Sequence, residues 1–71
     1  MRKLQEIGDP RSCLNRAASD EMVFVLRGHD AAAPAAIRAW IKERLRLDKN
    51  VSGDEQLTEA QECADAMERE R

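Results

Sequence analysis

The chain is predicted to be all-α, a small bundle of three to four helices that self-associates. Three observations lead to that reading. Ile37, Trp40, Ile41 and Leu45 fall at i, i+3, i+4 and i+8, the apolar stripe of an amphipathic helix over about 34–47. Leu57, Ala60, Cys63/Ala64 and Met67 repeat that spacing over about 54–69, backed by Glu55, Glu59, Glu62 and Asp65 on the outer side. The 71 residues are 42% hydrophobic, but eleven of them are alanine, which buries little area. A chain this short and this poor in large side chains needs a supplement to its core, such as a disulfide, a metal or self-association.

The remaining elements are read in chain order. Residues 1–11 form an N-terminal arm, with Gly8-Asp9-Pro10 as a turn signal, and 12–71 form the single domain. Ser12 suits the N-cap of a short helix from Cys13 to Ala18. Met22-Val23-Phe24-Val25-Leu26 is ambiguous. Its β-branched and aromatic content suits a strand. The Ser19/Asp20 cap before it, Gly28 after it and the lack of a second strand suit a helix, which is the expectation taken here. Five apolar residues in a row cover every side of such a helix, so Met22, Phe24 and Val25 are the expected contact with another subunit. Pro34 fits the first turn of the long helix, with Asp30 near its start. Ser52 or Asp54 caps the last one. Trp40, on the apolar stripe, is expected in the core.

Composition and motifs bound the chemistry. Cys13 and Cys63, with a single His, give no zinc spacing, and no cofactor or metal is expected. The N-terminus lacks the apolar run of a signal peptide and no stretch spans a bilayer, so the expected compartment is the cytoplasm, with reduced thiols and no membrane partner. His29-Asp30 adjoins no placed nucleophile, Ser12, Ser19 and Ser52 read as caps, and no catalytic residue is assigned. The protein is not expected to be an enzyme.

The net charge of −2 is unevenly spread, +3 over residues 1–49 and −5 over 50–71. Arg38, Lys42, Arg46 and Lys49 form a basic edge on the long helix. Arg27, Arg38, Lys42 and Arg46 are therefore the candidate ligand- or partner-binding residues, suited to an anionic small molecule such as a signalling nucleotide. The competing reading is a solvated face partly paired with the acidic last helix. Pro34-x-x-Ile37-Arg38-x-Trp40-Ile41 is similar to the second helix of a helix-turn-helix, which makes a DNA-binding regulator using helix 34–47 the alternative function. The long spacer from Gly28 to Pro34 and the negative net charge set nucleic acid behind the other partners.

From Leu14 to Met67 the chain resembles small uncharacterised proteins encoded by bacteriophages and prophages of proteobacteria. The resemblance is carried by Asp20-Glu21, Val23-Phe24-Val25-Leu26-Arg27, Asp30, Ala33-Pro34, Ile37, Trp40 and Ala64-x-x-Met67, with Met22 standing where a Pro is expected. It implies a phage accessory protein in the host cytoplasm. Many such proteins act by stoichiometric binding of a host component, including inhibition of bacterial defence.

Overall fold

The computed structural model describes residues 2–70. Met1 and Arg71, the outer ends of the expected arm and domain, lie outside the described residues. The regular structure is helical throughout: α1 (Lys3–Gly8), α2 (Cys13–Arg16), α3 (Ala33–Arg46) and α4 (Glu55–Arg69). Among the described residues there is no strand. No helix is long and apolar enough to cross a membrane.

The two long helices fall within a residue of where their apolar spacing puts them. Pro34 occupies the first turn of α3, and Asp30 Oδ1 accepts from the Ala32 N–H just before it (2.8 Å). At the other end Lys49 N–H donates to Arg44 C=O and Asp48 N–H to Leu45 C=O, the paired bonds of a Schellman cap. Asp48 takes the left-handed conformation that this cap requires, at φ 57°, where glycine is usual. Asp54 caps α4 by accepting from the Leu57 N–H at 2.8 Å, so Ser52 is not the cap. Asn50 ties the loop together, donating to Asp54 Oδ2 and Gln56 Oε1 and accepting from Arg44 Nε.

The core is minimal. Leu57, 5% exposed, is the largest buried hydrophobic side chain among the described residues, and Ala33 and Ala64 are the other buried hydrophobic ones. Ile37, Ile41, Leu45 and Met67 are only half-buried. The α3–α4 pair packs face to face, as does the α1–α2 pair, but among the described residues the two pairs do not pack on each other. One chain therefore forms two helical hairpins side by side.

Three expectations are corrected. Residues 22–26 are not a helix: the chain runs from Glu21 to Arg27 without a turn or bend and without helical hydrogen bonds. An all-apolar helix must be covered on every side, which this chain cannot do, and β-branched residues weaken so short a helix further. Trp40 is not core. It is 40% exposed because no element crosses α3 there, and the Arg44 guanidinium sits over its ring, 5.5 Å from the centroid. The second helix stops at Arg16 rather than Ala18, where Ala17 turns to an extended backbone.

The arm is ordered. Ser12 caps α2 through the Asn15 N–H (3.2 Å) and donates its hydroxyl to Glu6 C=O at 2.6 Å. Asn15 Nδ2 donates to the carbonyls of Glu6, Ile7 and Asp9, closing the end of α1. Arg2 donates both guanidinium nitrogens to Glu70 at 2.8 and 3.1 Å, clipping the start of α1 to the end of α4.

The surface of 5952 Å² is large for an 8.0 kDa chain. A compact monomer of that mass exposes roughly 4,500 Å², so about 1,500 Å² is surplus. The radius of gyration, 12.7 Å, also exceeds the roughly 11 Å of a compact 71-residue domain.

Two substitutions test this architecture. Leu57→Ala should cost about 2–5 kcal/mol, the range for a buried leucine, and dissolve the α3–α4 hairpin in thermal melts. Asp48→Gly should stabilise by about 0.5–1 kcal/mol by removing a side chain from the left-handed position, raising the melting temperature by several degrees.

Candidate functional site

The space between the two hairpins is an open groove of about 1720 Å³. Its apolar walls are Leu4 from α1, Ile37 and Trp40 from α3, and Ala60, Cys63 and Ala66 from α4, with Phe24 and Leu26 at one side. Its rim carries Glu6, Asp9, Glu55, Glu59 and Glu62 against Arg11 and Arg69, a net charge of −3. The groove arises from a sequence mismatch. The Ile37/Trp40 side of α3 and the Ala60/Cys63 side of α4 are apolar, and α1–α2 is too short and too weakly apolar to close over them. Phe24 is 87% exposed and Met22 95%.

The candidate cations take different parts. Arg38 donates to Asp65 Oδ1 at 2.9 Å and to Glu68 Oε1, bridging α3 to α4 within one chain. Arg46 is engaged by Glu43 one turn back, with Nε 3.0 Å from both carboxylate oxygens. Lys42 is exposed on α3 with no ion pair among the described residues. Arg27 is exposed at the end of the segment without turn or bend, likewise without an ion pair among the described residues. Two of the four cations are thus already neutralised by their own chain, and the basic edge is in good part a solvated, self-paired face. Met22, Phe24 and Val25, the candidate interface, are all exposed.

Asp30 gives a carboxylate oxygen to the Ala32 N–H, and the Ser12 hydroxyl is held by Asn15 and Glu6. Cys13 is exposed on the groove rim and Cys63 half-buried in its wall.

Several structural contacts carry no sequence signal. The Arg2–Glu70 clip joins residues 68 apart, and Asn15 and Asn50 are hubs that a lone asparagine does not announce. Arg44 over Trp40 is the exception, since the i, i+4 spacing puts both on one face. As for the helix-turn-helix reading, the structure has no helix directly before α3 to serve as the first of the pair.

Comparison with protein-family models, with curated proteins and with solved structures finds no match.

Electrostatics make the hairpins acid-sensitive. Arg2, by hydrogen bond and by charge, holds the Glu70 carboxyl below its ordinary range. The Arg46 hydrogen bond does the same for Glu43. For Asp54 the Leu57 N–H is the largest cause and Asn50 the next. A carboxyl whose pKa is lower folded than unfolded stabilises fully above the ordinary range. That contribution is lost as pH falls through the lowered value. Helicity followed by circular dichroism should therefore be flat above about pH 5 and fall below about pH 4. Glu70→Gln should remove part of that acid dependence.

Proposed function

We propose that this is a phage-type accessory protein that works by stoichiometric binding. The proposed binding unit is a self-associated assembly in the host cytoplasm. The partner is a host protein that presents an amphipathic helix with a basic polar side. The observation that carries the reading is the groove. It is apolar along its walls, acidic along its rim and too open for a small ligand, whose pockets are about 300–1,000 Å³ and enclose most of the molecule. The helices α3 and α4 that form its apolar walls have 14 and 15 residues and are about 21–23 Å long, so a helix of roughly thirteen residues laid along them matches their length. Helix-in-groove recognition supplies apolar anchors at i, i+3, i+4 and i+7, and the rim favours Lys or Arg beside them. Inhibition of a bacterial defence component is one use of such binding.

The anionic-ligand reading has less support, because Arg38 and Arg46 already have acidic partners. The DNA-binding reading has an acidic last helix and an α3 without a preceding helix against it.

Trp40, the single tryptophan, lines the groove and reports on it directly. Titration with a thirteen-residue amphipathic helical peptide bearing lysines on its polar side should blue-shift Trp40 fluorescence. The change should saturate at one peptide per chain and weaken with salt. A peptide with the same apolar positions and glutamates in place of the lysines should bind at least tenfold more weakly. Equal response to both peptides, or none to either, contradicts the reading.

A further inference from the structure

We propose that two copies of this chain join through residues 22–26, which pair antiparallel across a two-fold axis at Phe24 to form a β-ribbon. The proposal rests on the self-association reading above and names its geometry.

The backbone gives the first argument. From Met22 to Leu26 the chain has no turn or bend, and none of its N–H or C=O groups is hydrogen-bonded among the described residues. Unpaired backbone is a template for strand addition, and Val-Phe-Val is strong β-forming sequence. Over residues 23–26 the side chains alternate as a strand requires: Phe24 and Leu26 line the groove and Val23 and Val25 do not, while Met22 lies beyond the lining. Pairing uses the edge of the segment, not the side turned to the groove, so the ribbon and a groove-bound helix are compatible.

Charge supplies the second argument and fixes both direction and register. With Phe24 on the axis, Val23 faces Val25 of the second copy and Met22 faces its Leu26. Glu21 then faces Arg27 of the second copy, at both ends of the ribbon. Arg27 has no ion pair within its own chain among the described residues, and neither does Glu21. Parallel pairing would instead set Glu21 against Glu21 and Arg27 against Arg27, which is repulsive. An antiparallel ribbon is also isologous, so it closes at two copies.

Area is the third argument. The surplus of about 1,500 Å² per chain matches obligate dimers, which bury about 1,000–2,500 Å² per partner. The five-residue ribbon alone covers less than that. Its contribution is the backbone edge together with Met22, Val23 and Val25, which are exposed and do not line the groove.

Charge reversal tests the register. Sedimentation equilibrium should give a dimer for the wild type. Glu21→Arg or Arg27→Glu alone should raise the dissociation constant about tenfold or more, because each acts twice per dimer. The double swap should return it to near the wild-type value. Amide hydrogen exchange on the unmodified chain gives a readout independent of any variant. Alternate amides of residues 22–26, those on the paired edge, should become protected as concentration carries the chain into the dimer. A dimer indifferent to the swaps, or one whose 22–26 amides exchange freely, overturns the ribbon and leaves self-association standing. A folded monomer at all concentrations, with those amides unprotected, overturns both.

Discussion

Among the described residues only Leu57, Ala33, Pro34 and Ala64 are buried, all on the α3–α4 pair, and that scarcity of buried bulk governs the molecule. The α3–α4 hairpin holds because one leucine fills its seam, alanines let the backbones approach, and Arg38 bridges to Asp65 and Glu68. Ile37, Ile41, Leu45 and Met67 are half-buried, and many of the other large apolar side chains remain exposed in the single chain. Phe24, Met22 and much of Trp40 face water, although a small domain can ill spare their burial.

The polar structure offsets this only in part. Hydrogen-bond hubs at Asn15 and Asn50 fix the two tight connections, and the Arg2–Glu70 clip keeps α1 beside the end of α4. These contacts are local or exposed, and exposed ion pairs stabilise little. They set the width of the groove without closing it. The same features therefore leave apolar side chains exposed and leave the groove between the hairpins open.

Much of the hairpin was legible in the sequence. The spacings Ile37/Trp40/Ile41/Leu45 and Leu57/Ala60/Ala64/Met67 name the two helices and their facing sides, and Pro34 and Asp54 mark their starts. Residues 22–26 were not, because an apolar run has no period to separate helix from strand. Trp40 lay on the right face of its helix, but a stripe tells only which side turns inward, not whether anything arrives to cover it. Arg38 pairs with the acidic last helix, as the solvated-face reading of the basic edge expects, whereas Arg46 pairs with Glu43 on its own helix. The groove itself had no sequence signal, because it lies between elements whose failure to pack no pattern records.

A chain that completes its core through a second copy must be more stable when concentrated, since binding that favours the folded state raises stability by mass action. Thermal unfolding across a hundredfold range of protein concentration tests this most directly. A dimer's apparent stability gains about 2.7 kcal/mol over such a range, so the melting temperature should climb by several degrees or more. A melting temperature that stays constant over the whole range would mean that the single chain, with Leu57 as its largest sealed side chain, is sufficient by itself.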